Sequence, residues 1–195
     1  MGKNKIEAMF EQCGAILAGH FILTSGRHSD RYLEKALVYT DPERVSNLCF
    51  DLGSKVRGIR IEAVVGPAVG GVGLSLMTAY HIASLANYKV LSLFTEKNKE
   101  GKQTLKRGYQ KLIAGKKVLI VDDILTTGGS VKEVADEVAR AGGKVVAVAV
   151  LCNRGGIISE KLGYPLLHLW ETNIESWTPE FCPLCQKGIP ITNLK

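Results

Sequence analysis

Four short apolar runs recur along the chain: IEAVVG over 61–66, KVLSLF over 89–94, KVLIVDD over 117–123 and KVVAVAVL over 144–151. Each is continuous and rich in β-branched residues rather than alternating, which is the pattern of a strand covered on both faces. Parallel strands need crossover connections, and helical patterns over 71–83 and 130–141 supply them. In the second of these, Val131, Val134, Ala135 and Val138 share one face and Gly142-Gly143 provides a stop. The expected fold class is therefore α/β, with a central, mostly parallel sheet flanked by helices.

The flanking segments add detail. Ile6, Met9, Phe10, Cys13, Ile16 and Leu17 stand at helical spacing and predict a first helix ending near Gly19. Asp41-Pro42 suits the start of another, whose stripe is Val45, Leu48, Cys49, Leu52 and Val56. The polar stretch over 95–116 is too long for a plain connection and reads as a lid or an excursion hairpin. Residues 181–195 read as a tail packed on the domain. The length of 195 residues favours one domain spanning 1–195.

Composition narrows the class. A chain that is 46% hydrophobic and 23% charged is not disordered, and one of 21.2 kDa can bury about 70% of its unfolded surface. The net charge of +6 favours anionic partners without separating nucleic acid from phosphorylated metabolites. Five cysteines, an odd number in a chain able to build its own core, fit free thiols in a reducing compartment. The first twenty residues lack the apolar core of a signal peptide, and Ile6 stands where a myristoylation motif needs Ser or Thr. No stretch approaches 18 apolar residues. A cytoplasmic location with no membrane partner is the expectation.

The most informative segment is KVLIVDDILTTGGSVKEVADEVARAGG. A buried strand ends in two adjacent carboxylates, Asp122 and Asp123, where ligands of open α/β sheets bind. Thr126, Thr127, Gly128, Gly129 and Ser130 then form a small-residue loop before a helix, able to turn amides and hydroxyls toward one phosphate. A plain capping box from Ser130 to Glu133 would account for the helix start. It would not account for two repelling carboxylates, which hydroxyl-rich or cationic ligands would offset. Two other phosphate motifs fail: neither Gly101-Lys102-Gln103 nor Gly115-Lys116-Lys117 completes a P-loop, and Gly71-Val72-Gly73 is followed by no third glycine in register.

The strand, acidic pair and TTGGS loop resemble the phosphoribosyl diphosphate (PRPP) motif of type I phosphoribosyltransferases. GHFILTSGRHSDRYLEK over 19–35 is similar to the base-binding segment of the orotate phosphoribosyltransferases, and CNRGG over 152–156 to the segment that carries their orotate-binding arginine. The resemblance implies the type I phosphoribosyltransferase fold, with a flexible lid over 95–116 and a small N-terminal base-binding hood over 1–40. It implies that Asp122 and Asp123 hold the ribose hydroxyls of PRPP, directly or through Mg²⁺ and water. Residues from Ile124 and Leu125 through Thr126, Thr127, Gly128, Gly129 and Ser130 would bind the 5′-phosphate end. Thr126 would also touch orotate, and Arg154 would pair with its carboxylate. Lys97 best matches the catalytic lid cation, with Lys102, Lys106 and Arg107 as further candidates.

Mg²⁺ would be bound mainly through PRPP, and the family assembly would be a homodimer with no nucleic acid. Three positions depart from the better-known bacterial pattern: Thr24 and Gly70 stand where PRPP-contacting lysines are common, and Glu96 where an arginine is. In GPAVGGVG over 66–73, the glycines either admit diphosphate or serve as a helix entrance.

The implied reaction is attack by an orotate nitrogen on the anomeric carbon of PRPP, which inverts that carbon and releases pyrophosphate. It needs no protein nucleophile. The alternatives are a purine or xanthine phosphoribosyltransferase, against which SGRHS and Arg154 speak, and a PRPP sensor that binds nucleic acid, for which no added module is evident. His20, His28, His81 and His168 form no motif by spacing. His81 is read as a helix residue, His168 as a strand residue and His28 as a candidate donor to substrate. Cys182-Pro183-Leu184-Cys185 resembles half of a zinc site, but no second CxxC exists, so a turn with two free thiols is the first reading and zinc or redox pairing the second.

Overall fold

The four apolar runs become the middle of a six-stranded sheet in the computed structural model, which describes residues 4–23 and 25–193. Two segments precede that sheet in the chain. Helix α1 (Lys5–Gln12) is followed by the antiparallel pair β1 (Ile16–Ile22) and β2 (His28–Leu33), and a 3₁₀ turn spans Lys35–Thr40. Helix α2 (Pro42–Lys55), β3 (Ala63–Pro67), α3 (Gly70–Ala86) and β4 (Leu91–Lys97) come next. Then follow β5 (Gln103–Thr104), α4 (Tyr109–Ile113), β6 (Lys117–Leu125), α5 (Gly129–Arg140) and β7 (Lys144–Asn153). Helix α6 (Ser159–Leu162), β8 (Leu166–Glu171), a 3₁₀ turn at Pro179–Phe181 and α7 (Pro183–Gln186) complete the order.

By internal contacts the chain divides into two compact units, Met1–Asp41 with Asn173–Lys195, and the continuous Pro42–Thr172. The segment that joins the first unit thus begins at Asn173, not at Phe181. In the second unit the sheet order is β5-β4-β3-β6-β7-β8, parallel throughout except for the β4/β5 hairpin. The side on which successive strands are added therefore reverses between β3 and β6, the switch point where such sheets open a crevice.

Helix α5 packs on β5, β6 and β7. Its Val131, Val134, Ala135 and Val138 are fully buried with Val118, Ile120, Val148 and Val150 of the sheet. Full burial of each valine contributes about 1.5–3 kcal/mol, more than the roughly 0.5–1 kcal/mol by which each glycine at the helix entrance weakens order. The helix start is thereby held in place despite its glycines.

The first helix is shorter than its spacing predicts. Gly14, at φ +72°, ends α1, and Ile16 and Leu17 enter β1, where Ile16 pairs with Leu33 and Leu17 with Tyr32. A glycine in the left-handed region breaks a helix, and the β-branched and aromatic residues of ILAGHFI gain more from cross-strand pairing. The polar excursion is a hairpin at its base: Glu96 pairs with Thr104 and Lys97 with Gln103. Its return limb is anchored by buried Leu105 and Ile113.

Candidate functional site

Strand β6 runs past its neighbour. It pairs with β3 only as far as Ile120, while its register with β7 continues to Leu125 and Asn153. The overhang carries both aspartates. Backbone amides close on the carboxylates, Asp123 N–H donating to Asp122 Oδ1 at 2.9 Å and Ile124 N–H to Asp123 Oδ1 at 2.7 Å. Neighbouring strand residues point to opposite faces, and the two carboxylates differ in setting. Asp122 lines an open pocket with residues 124–131, of about 140 Å³, while Asp123 is 2% exposed and lies outside that lining. At about 30 Å³ per water in the liquid, the pocket has room for a phosphate-sized anion.

The floor of this pocket is the entrance to α5. Gly128, at φ +81°, occupies the cap position, a conformation that suits only glycine, and Thr126, Thr127, Gly129 and Ser130 are exposed around it. The capping box is not made. The helix begins at Gly129, so Ser130 lies inside its first turn, and Glu133 turns away to accept from the Gln103 N–H at 3.1 Å. The amides of the first turn and the helix dipole therefore favour an anion at this end.

The loop after β7 meets this entrance directly. Arg154 N–H and Gly155 N–H both donate to Leu125 C=O, at 2.8 and 3.1 Å. Buried Asn153 closes the same loop, its Nδ2 donating to Ile157 C=O at 2.9 Å while its Oδ1 accepts from Ile157 N–H at 3.1 Å. Sequence reading missed Asn153 as a positioning residue. The signal was an asparagine at a strand end ahead of two glycines.

On the β3 side, Gly66 and Gly71 pack backbone on backbone: a Cβ at Gly66 would stand 2.3 Å from Gly71 C=O oxygen. Of the two readings of GPAVGGVG, the helix-entrance one accounts for these two glycines. The Ala68–Val69 peptide between them is cis, and Gly70, one of the departures, opens α3. Thr24 lies outside the described residues.

The excursion cations gather on the β4/β5 hairpin. Lys97 is exposed at the end of β4, and Lys106 Nζ donates to its C=O at 3.2 Å. Arg107 pairs with Glu96 at 3.1 Å and stands over the Phe94 ring, while Lys102, exposed in the hairpin turn, donates its N–H to Asn98 Oδ1 at 2.9 Å. Helix α5 grips the hairpin from below, and buried Glu137 accepts from Leu105 N–H at 2.9 Å as well as pairing with Arg140. Nothing in the sequence distinguishes Glu137 from the solvated carboxylates of an exposed helix face.

The histidines separate. His81 lies in α3 and His168 in β8, as read from the sequence. His28 is not free to serve a substrate through Nδ1: that atom is 2.9 Å from His20 Nε2 and 3.3 Å from Cys185 Sγ. Spacing concealed this grouping because its members are up to 165 residues apart.

Residues 46–174 match the family described as phosphoribosyl transferase domain. The chain is 43% identical over 191 residues to the orotate phosphoribosyltransferase of Caldicellulosiruptor bescii, covering 98% of this chain and 96% of that protein. It is 39% identical over 185 residues to that of Thermotoga maritima, covering 95% and 94%. Among solved structures, the orotate phosphoribosyltransferase of Aeropyrum pernix superposes with a TM-score of 0.68 at 26% identity, over 84% of this chain and 92% of that one. The fold likeness extends to the Mycobacterium tuberculosis orotate phosphoribosyltransferase in complex with PRPP, with a TM-score of 0.59 at 16% identity over 71% and 80%.

Proposed function

From the premise that this chain belongs to the phosphoribosyl transferase family, and within it to the orotate phosphoribosyltransferases, we propose the following chemistry for its site. The enzyme transfers the 5-phosphoribosyl group of PRPP to orotate, giving orotidine 5′-monophosphate and pyrophosphate. An orotate ring nitrogen gives up its proton to solvent and forms the new bond to the anomeric carbon, the bond to the diphosphate oxygen breaks, and the leaving group departs with its electron pair. The observation that supports this reading is the pair of hydrogen bonds from the Arg154 and Gly155 amides to Leu125 C=O, which joins the loop bearing Arg154 to the α5 entrance.

Thr126, Thr127 and Ser130, with the first amides of α5, receive the 5′-phosphate. Asp122 and Asp123 hold the ribose hydroxyls and favour the positive charge that develops on the ring. Asp122 meets them from the pocket wall and Asp123 from the more buried position next to it. Arg154 pairs with the orotate carboxylate and Thr126 flanks the same ring. Lys97, Lys102, Lys106 and Arg107 meet the diphosphate; the Arg107–Glu96 pair is exposed, worth about 0–1 kcal/mol, and exchanges readily for a phosphate oxygen. Closing the hairpin over the site keeps water from the ribosyl centre.

The hard carboxylate oxygen of Asp122 in an open pocket suits Mg²⁺ carried in on PRPP. When bound, Mg²⁺ neutralises charge on the departing diphosphate. Exposed Leu76 and Tyr80 on α3 and Phe50 on α2 support a homodimer. Five cysteines outside any disulfide fit the cytoplasm, and no described helix is long and apolar enough to cross a membrane.

The test is loss of orotate absorbance with PRPP and Mg²⁺, run beside uracil, hypoxanthine and xanthine. Turnover with orotate alone is expected. Turnover with a purine alone would keep the PRPP site and overturn the base assignment. No turnover with any base, together with PRPP binding and salt-sensitive RNA binding, would point to a sensor instead.

A further inference from the structure

His20 Nε2, His28 Nδ1, Cys182 Sγ and Cys185 Sγ converge within the first unit so that all four atoms lie within 4.8 Å of one another. Both histidines come from the β1/β2 hairpin and both cysteines from the turn that opens α7. The closest separations are 2.9 Å between the two nitrogens and 3.3, 3.5 and 3.6 Å between nitrogen and sulfur. In a tetrahedral site with metal–nitrogen bonds of about 2.0–2.1 Å and metal–sulfur bonds of about 2.3 Å, ligand atoms stand about 3.3–3.8 Å apart. The cluster already has nearly that size.

Hydrogen bonding alone leaves it unbalanced. His20 Nδ1 is 2.7 Å from Ile189 C=O, and a carbonyl only accepts, so Nδ1 carries the proton and Nε2 presents a lone pair. His28 Nδ1 and both cysteine sulfurs crowd that lone pair, at 2.9, 3.5 and 3.6 Å. A divalent cation satisfies all four atoms at once, and the Ile189 carbonyl is the outer partner that orients a ligating histidine.

We propose that His20, His28, Cys182 and Cys185 form a structural zinc site that joins the β1/β2 hairpin to the C-terminal segment. Two thiolates and two imidazoles in tetrahedral array select Zn²⁺ over Mg²⁺, which prefers six oxygens. Four protein ligands leave no open position for catalysis. The site also answers a need of size: the first unit has roughly sixty residues, a range in which small folds commonly rely on metals or disulfides. The backbone is consistent with a fixed cluster. His28 and Trp177 exchange both backbone hydrogen bonds at 2.8 Å, His20 C=O accepts from Thr192 N–H at 2.7 Å, and Gly19 faces Thr192 with no space for a Cβ.

The test is metal analysis of the full chain purified from zinc-supplemented and cobalt-supplemented growth, followed by gel filtration. One metal per chain is expected, and the cobalt protein should show the strong visible bands of a tetrahedral ion with thiolate charge transfer in the near ultraviolet. Cys185→Ser, at an exposed position, should weaken zinc retention by at least about 100-fold, since loss of an outer partner alone costs 10–100-fold. Chelation should lower the melting temperature, with recovery on Zn²⁺ and none on Mg²⁺. If Cys185→Ser does not fold, the wild-type cobalt spectrum decides: charge transfer supports the site, and its absence overturns it. Wild-type protein far below one metal per chain, or one with a Cys182–Cys185 disulfide when purified under reducing conditions, also overturns it. None of these readouts depends on phosphoribosyl transfer.

Discussion

Gly155 lies directly against Thr126: a Cβ at Gly155 would stand 1.7 Å from the Thr126 carbonyl oxygen. The loop that carries Arg154 and the loop that opens α5 thus touch through bare backbone, and neither can move without the other. Gly155→Ala must push them apart. A misplacement near 1 Å costs on the order of 100-fold in rate, and overpacking costs about 1–3 kcal/mol in stability. Initial rates beside a thermal melt check this, and a rate within about twofold of wild type would refute the coupling.

The two aspartates should separate under mutation. Asp122→Asn and Asp123→Asn are each expected to lower kcat/KM for PRPP by roughly 10²- to 10³-fold, the range for losing one preorganised electrostatic group, with smaller effects on unfolding. Asp123 is nearly inaccessible, so its variant should also shift the denaturation midpoint, whereas Asp122→Asn should not. Paired kinetics and urea titrations read both. Full activity in Asp123→Asn removes it from the ribose site.

Arg154→Ala should weaken orotate binding and leave PRPP binding nearly intact. A charge-assisted hydrogen bond contributes about 1.5–3 kcal/mol, or roughly 10- to 150-fold in affinity. Titration calorimetry with orotate measures it directly, and unchanged affinity would place Arg154 outside the base pocket.

Glu137→Ala tests the grip of α5 on the excursion hairpin. It leaves the Leu105 amide without its carboxylate partner, a loss of about 1–3 kcal/mol. Hydrogen exchange at Leu105 and its neighbours should accelerate, while exchange in the β1/β2 hairpin stays as it was.

Alkaline pH should loosen the second unit through its buried thiols. Burial pushes Cys152 up to about 12, against the opposing pull of Arg154, and pushes Cys49 up to about 11, against a hydrogen bond from Thr78. The ordinary value is 9.0. Below it the thiols are neutral in folded and unfolded chains alike, and their stabilisation is complete. Between it and the raised values the unfolded chain ionises first, so stability falls with rising pH, by up to about 1.4 kcal/mol per unit for each thiol. Urea midpoints measured upward from pH 9 should decline, and Cys152→Ala should decline less steeply from a lower start.

The β-α-β core over 117–153 was legible because its signals are local: continuous β-branched strands and a four-residue stripe on α5. The small-residue loop that opens α5 was legible for the same reason. The end of the first helix was not, since Ile16 and Leu17 satisfy helical spacing and only Gly14 and the pairing with Leu33 and Tyr32 decide against it. Glu133 fits a capping box by spacing, and only the Gln103 amide shows that it turns away, as only the Leu105 amide gives Glu137 a role. The grouping of His20 and His28 with Cys182 and Cys185 was not legible, because the two pairs lie more than 150 residues apart in the chain.

The division of the chain has a bearing on its synthesis. The unit spanning Pro42–Thr172 is uninterrupted and can condense as it leaves the ribosome, whereas the other draws on residues both before and after it. The early hairpin must therefore wait until translation has passed Asn173 and delivered its partner. Phosphoribosyl chemistry would be framed in the nascent protein before the segment resembling a base-binding hood is whole.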